Sequence, residues 1–177
     1  MLKLSLLRHA KSSRDDPDLD DFDRPLAARG LRDAPEMGKR LAAHGVHPEM
    51  IVTSPARRAT QTARLIALEI AYPARDLRSD DRLYLASARD LIKIVHAIDD
   101  QLPHVMLVGH NPSFTDLANR LSEGGIDNIP TCGYVEIDFH VDHWHQIAPG
   151  SGRLVDFNFP KNTGKSAFVP PAFRNPE

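Results

Sequence analysis

The sequence predicts an α/β protein built as a three-layer sandwich, with a mostly parallel central sheet, helices on both faces and a partly antiparallel C-terminal meander. Three observations carry this. The runs Leu2 to Leu7, Met50 to Val52 and Val105 to Val108 are apolar enough to be strands covered on both faces. Each is followed, directly or after a loop, by apolar residues at helical spacing, the alternation that builds crossovers between parallel strands. After Gly124-Gly125 the period changes to two, as in hairpins.

The first strand stops abruptly at Arg8 and His9. Residues 14–30 are charged, contain Pro17 and Pro25 and open without periodicity, which makes them a surface loop. From Leu31 to His44, Leu31, Ala34, Met37, Leu41 and Ala42 fall near helical spacing, and Gly45 ends the helix. Pro35 fits such a helix only in its first turn. The second strand ends in Thr53-Ser54-Pro55, with Ser54 as N-cap and Pro55 at the first helical position of a helix reaching about Glu69. Ala59, Thr62, Ala63 and Ile66 share its buried face. Residues 71–86 read as irregular with one short extended piece. Ser87 and Asp90 form a capping box for a helix burying Leu91, Val95 and Ile98. The third strand ends in Gly109-His110-Asn111-Pro112, before a short helix from Ser113 to Leu121. Tyr134 to Phe139, Trp144 to Ala148 and Leu154 to Phe159 are the strands of the meander.

With 177 residues the chain buries one core, so a single domain is expected over 1–159, with an extended or partly disordered segment over 160–177. Lys and Arg total 22 against 24 Asp and Glu, a net charge of -2, which argues against nucleic acid and anionic membranes as partners. The amino terminus is too short in apolar residues for a signal peptide or membrane span, and the one cysteine fits a reducing compartment, so a soluble cytoplasmic protein is expected. Cys132 reads as core packing inside a strand. No motif encodes an oligomeric state.

Right-handed crossovers bring the three parallel strand ends to one edge of the sheet, where open α/β sheets bind ligands. That edge gathers Arg8 and His9, Ser54 with Arg57 and Arg58 one turn on, and His110. Guanidinium forks and a helix start suit phosphate oxygens, and two imidazoles add a nucleophile and a donor. The expected chemistry is phosphoryl transfer, with a phosphorylated protein or small molecule as partner.

These residues carry a resemblance. LLRHAKSS, RPLAARG, TSPARRATQTA and VGHNP together resemble the histidine phosphatase superfamily, nearest its small SixA-like phosphohistidine phosphatase branch. The resemblance implies a phosphoglycerate-mutase-like fold and a metal-independent, cofactor-free phosphatase. It also implies that His9 is the nucleophile and that Arg8, Arg24, Arg58 and His110 bind the phosphoryl group. Arg57 falls on a variable position and is assigned to solvent or substrate contact. Two positions depart from the pattern: Ala10 stands where the superfamily usually has Gly, and DDRLYLASARD offers no clear general acid, since Asp80 and Asp81 come too early. A phosphorylated imidazole needs such an acid least, because its leaving nitrogen protonates near neutral pH. The alternatives are a phosphomonoester phosphatase with Asp21 or Asp23 as acid, and a non-catalytic phosphate-binding module.

Two further clusters have bland readings. His140, His143 and His145 with Asp138 and Asp142 lack metal-ligand spacing and read as solvent-facing meander residues. The aspartates of residues 15–23 lack the glycine and closing glutamate of a calcium loop and read as a solvated acidic loop near the site mouth.

Overall fold

A computed structural model describes residues 1–162. Of the segment expected to be extended or partly disordered over 160–177, residues 163–177 lie outside the described residues. In chain order the elements are β1 (Leu2–Arg8), α1 (Ala28–Ala43), β2 (Met50–Thr53), α2 (Arg57–Glu69), β3 (Arg78–Ser79), α3 (Ala88–His96), β4 (His104–Gly109), α4 (Ser113–Leu121), β5 (Tyr134–Phe139) and β6 (Gly152–Asn158). All six strands join one sheet in the order β3-β2-β4-β1-β5-β6. The first four run parallel, and β5 is antiparallel to both of its neighbours. The three-layer α/β expectation holds.

The layers follow from strand alternation. Leu4 and Leu6 of β1, with Val105 and Leu107 of β4, bury one face against Leu91 and Val95 of α3 and Phe114 and Leu117 of α4. Leu7, Met106 and Val108 bury the other against Met37 and Leu41 of α1 and Ala63 and Ile66 of α2. From β1 the chain moves outward through β2 to β3, then returns to β4, and right-handed crossovers put the helices of the two directions on opposite faces. The loops after β1 and β4 therefore leave adjacent strands toward opposite faces. That divergence opens the crevice in which doubly wound sheets bind ligands.

Several local expectations are corrected. Pro35 lies in the interior of α1, not in its first turn. The carbonyl it strands belongs to Leu31, an exposed residue, where water can replace the lost N–H donor. Helix α2 begins at Arg57 with Ala56 as N-cap and no side-chain cap, so Ser54 is not the cap. Trp144 to Ala148 is not a strand: Trp144–Gln146 is a 3-10 turn, because the Trp144 backbone N–H donates to Asp100 Oδ1 and its indole N–H to the Leu102 carbonyl. Asp138 is buried rather than solvent-facing, since β5 is an interior strand covered on both faces, and it sits beside Lys3 and Arg153. Cys132 is buried as expected, but in a turn before β5 at φ +60°. His143 pairs with Asp100 and stacks on His145. Among the described residues no helix is long and apolar enough to cross a membrane, and no group of three or more His, Cys, Asp or Glu could hold a metal ion.

The loop leading to α1 is pinned at both ends. Ser13 N–H donates to the Pro25 carbonyl, Ala27 N–H donates to the Lys11 carbonyl, and Leu26 N–H donates to Gln61 Oε1 of α2. Gly30, in the first turn of α1, lets the helix approach so closely that a Cβ there would overlap the Lys11 carbonyl oxygen and lie 3.0 Å from Lys11 N. Alanine is the better helix former. Gly30→Ala is nevertheless expected to lose about 1–3 kcal/mol of stability in urea unfolding, because backbone rather than a flexible side chain must move.

Candidate active site

The site is assembled at the diverging ends of β1 and β4. Arg8 and Gly109 are register partners, and His9 N–H donates to the Gly109 carbonyl. His9 and His110 thus leave the sheet side by side, with ring centroids 5.1 Å apart. Beside them β2 ends, where Ser54 N–H donates to the Val108 carbonyl. Arg58 enters from the first turn of α2 and is buried, whereas Arg57 points to solvent.

The hydrogen bonds define the state of each ring. His9 Nδ1 lies 2.7 Å from the Ala10 carbonyl, which only accepts, so Nδ1 carries the proton and Nε2 presents a lone pair. Arg58 Nε donates weakly to that lone pair at 3.4 Å. His110 Nδ1 lies 3.4 Å from Arg58 Nη2, which only donates, so Nε2 carries the proton and donates to Ser54 Oγ at 2.7 Å. Ala10 fits without a glycine: it is fully buried, lies outside the left-handed region, and its N–H donates to Thr62 Oγ1.

Burial pushes His9 down to about 3; the Ala10 hydrogen bond opposes the shift, and His110, Arg58 and Arg8 add to it. His110 is pushed down to about 4 by burial and by Arg58 and Arg8, against an opposing pull from Asp21. Both rings are neutral at neutral pH. A third imidazole, the half-buried His104, is pushed to about 4 by desolvation at the far end of β4, where it contacts Ser5 Oγ.

All three folded values lie below the ordinary 6.5, so the unfolded chain binds more protons as pH falls. Their stabilisation is complete above about pH 6.5 and is lost from there down toward about 4, for His9 toward about 3. Each adds a slope of about 1.4 kcal/mol per pH unit in that window. Urea unfolding between pH 7.5 and 4.5 should follow this slope, and His104→Gln should flatten it without touching the pocket.

The loop carries Asp21 over the pocket. Its Oδ2 accepts from Arg58 Nη2 at 2.9 Å and from the Tyr84 hydroxyl at 3.1 Å, and its backbone carbonyl accepts from Arg58 Nη1. Arg24 is brought to Asp21 rather than to the imidazoles: Nη1 donates to Asp21 Oδ1 at 2.7 Å, Nη2 to Ser12 Oγ and Nε to the Ser13 carbonyl. Partial burial raises the Asp21 carboxyl, but the charge of Arg58 and hydrogen bonds from Arg58, Tyr84 and Arg24 hold it below the usual range. Asp23 is exposed and makes no side-chain hydrogen bond among the described residues. Asp80 is paired with Arg82, which donates to it through Nε and Nη2. Arg8 donates through Nη1 to the Ile129 carbonyl at 2.7 Å, and its buried Nε has no partner among the described residues.

Sequence reasoning had no site role for Ser54 as partner of His110, or for Tyr84, whose ring lies edge-on 5.8 Å from His110. For Ser54 the available signal was the Ser-Pro pair itself, which also reads as a helix start. For Tyr84 it was an aromatic residue between Leu83 and Leu85 in an irregular stretch.

Residues 4–84 match the model of the histidine phosphatase superfamily, branch 1. An uncharacterized protein of Mycobacterium tuberculosis is 34% identical over 165 residues, covering 88% of this chain and 100% of that protein. A crystal structure from Agrobacterium tumefaciens, described as a candidate phosphohistidine phosphatase SixA, is 28% identical with a TM-score of 0.76, covering 90% of this chain and 98% of that one. The protein histidine phosphatase SixA complexed with tungstate shares the fold at 19% identity, with a TM-score of 0.78 over 92% of this chain and 100% of that one.

Proposed function

Because the chain belongs to the histidine phosphatase superfamily and is a phosphatase of SixA-like architecture, we propose that its substrate is a phosphohistidine, in a protein or a small molecule, turned over through a covalent phosphohistidine on His9. The observation that carries this reading is the state of His9: buried, neutral, held in one tautomer by Ala10, with the Nε2 lone pair beside Arg58 and His110. A nucleophile must present such a lone pair without first losing a proton.

In the proposed reaction His9 Nε2 attacks phosphorus as the bond to the leaving nitrogen breaks, and that nitrogen takes a proton from solvent. Water then attacks phospho-His9. The P–N bond breaks with its electron pair returning to Nε2, and inorganic phosphate leaves with the water's proton passing to solvent. Arg8 and Arg58 would stabilise the charge on the equatorial oxygens, and His110 would join them by turning its Nε2–H from Ser54 to a phosphoryl oxygen. The unpartnered Arg8 Nε supports this, because a buried donor without an acceptor costs about 1–3 kcal/mol, which a phosphoryl oxygen would relieve.

The leaving group is chosen from the acids at hand. Hydrogen bonds from Arg82 hold the Asp80 carboxyl low, and Asp21 is held ionised by Arg58, Tyr84 and Arg24. Neither is poised to protonate an alkoxide, whereas a departing imidazole needs no such donor. Asp21 is assigned to closing the loop on Arg58, where its carboxylate stands on the groups a phosphoryl oxygen would use, and Arg24 to holding that loop.

The test is a profile of kcat/KM over phosphohistidine, phosphoramidate, aryl phosphates and alkyl phosphates. The P–N substrates should be turned over best and alkyl phosphates worst. Preferred hydrolysis of alkyl phosphates that disappears in Asp21→Asn or Asp23→Asn would transfer the function to phosphomonoesters. Binding of phosphate with no turnover of any substrate would make the chain a recognition module.

A further inference from the structure

The rim of the pocket contains a feature that phosphoryl binding does not use. Phe22, at the crest of the loop, is 38% exposed, and its ring packs edge-on against Tyr84 at 5.2 Å. The Tyr84 ring in turn stands edge-on to His110 at 5.8 Å, and its hydroxyl donates to Asp21. A ladder of three rings thus climbs from a phosphoryl-binding imidazole to solvent. Leu85, next in the chain, is 82% exposed and held at φ +57°, a conformation that costs an L side chain roughly 1–2 kcal/mol. The exposed Phe22 ring, joined through Tyr84 to the mouth of a charged pocket, marks a surface that meets a ligand.

Direction decides which part of the ligand they meet. Attack by His9 Nε2 places the leaving group on the far side of phosphorus. Arg58 runs from the buried His9 outward to the half-exposed Asp21, so the way out passes Asp21. Phe22 and Tyr84 flank that exit, one as the chain neighbour of Asp21 and one through the hydroxyl bond.

Resting on the phosphatase reading above, we infer that Phe22 and Tyr84 form an aromatic collar that contacts the departing group and selects substrates whose phosphorus is attached to a planar ring. An imidazole or phenyl ring leaving past the collar meets ring faces and edges at the 4.5–7 Å spacing that aromatic pairs favour. Ammonia leaving from phosphoramidate meets nothing there. The collar makes P–N chemistry ring-selective, a discrimination the arginines and imidazoles, which act only on the phosphoryl group, do not provide.

The experiment compares phosphohistidine with phosphoramidate, which share the scissile P–N bond and differ in the ring, in wild type, Phe22→Ala, Tyr84→Leu and Tyr84→Phe. In Phe22→Ala and Tyr84→Leu the kcat/KM ratio of phosphohistidine to phosphoramidate should fall about 2- to 10-fold, mainly through KM. Tyr84→Phe keeps the ring and should hold the ratio within about twofold of wild type. A ratio unchanged in Phe22→Ala and Tyr84→Leu, or parallel losses on both substrates, overturns the collar and leaves the phosphatase reading standing. Phosphoramidate reports the chemistry without the ring, so failure of wild type to hydrolyse either P–N substrate overturns the functional reading, and the collar with it.

Discussion

His9→Ala should abolish turnover, with kcat reduced on the order of 10³- to 10⁶-fold, as when a nucleophile that works as one unit with its neighbours is removed. Rapid quench of wild type into alkaline detergent with a radiolabelled P–N substrate should trap a phosphoenzyme that survives base and is lost when the sample is then acidified. His9→Ala should show none. The geometry makes the expectation sharp, because no second imidazole can replace the first. The His110 lone pair sits on Nδ1 beside Arg58 Nη2, and its Nε2 is committed to Ser54. His9→Gln adds a control, since its amide can donate to the Ala10 carbonyl in place of Nδ1. If the glutamine variant retains turnover, His9 binds phosphate rather than attacking it, and the covalent route is wrong.

The fold was legible where its signals are local. Leu4, Leu6, Val105 and Leu107 announce buried strands by composition alone, and the abrupt change to Arg8-His9 and Gly109-His110 marks the strand ends that the topology sets side by side. The capping box at Ser87 and Asp90 is equally local, and it forms. Signals with two physical meanings were less readable. Ser54-Pro55 has the chemistry of a helix start, yet the serine hydroxyl lies 2.7 Å from His110 Nε2 and the helix begins at Arg57. Trp144 has strand propensity, but its N–H groups find Asp100 and Leu102 and bend the chain into a turn. Contacts that depend on where a loop comes to rest were not readable. Tyr84 meets Asp21 across 63 positions, and nothing in either segment names the other. Likewise Arg24 looks like one more phosphate ligand in sequence, and only the closed loop brings it to Asp21, Ser12 and Ser13.

Arg58→Ala should cost about 100- to 1,000-fold in kcat/KM, the usual loss when one preorganised donor to a developing oxyanion is removed. The site gives a reason to expect the upper part of that range. The Arg58 guanidinium touches His9 through Nε, the Asp21 backbone through Nη1, and both Asp21 Oδ2 and His110 through Nη2. Its removal deletes the proposed phosphate donor and also leaves the Asp21 carboxylate at the pocket without its main cation, where it would repel the substrate's own charge. Arg58→Lys keeps the charge but not the planar fork, and should remain impaired by about tenfold or more. The double variant Arg58→Ala with Asp21→Asn separates the two effects, because it lacks the donor but also the repulsion. It should bind inorganic phosphate as a competitive inhibitor more tightly than Arg58→Ala alone. Asp21→Asn by itself should tighten phosphate binding, since the anion no longer competes with an internal carboxylate for Arg58. If Asp21→Asn instead weakens phosphate binding and lowers kcat, the carboxylate orients Arg58 for catalysis, and the loop is a brace rather than an internal competitor.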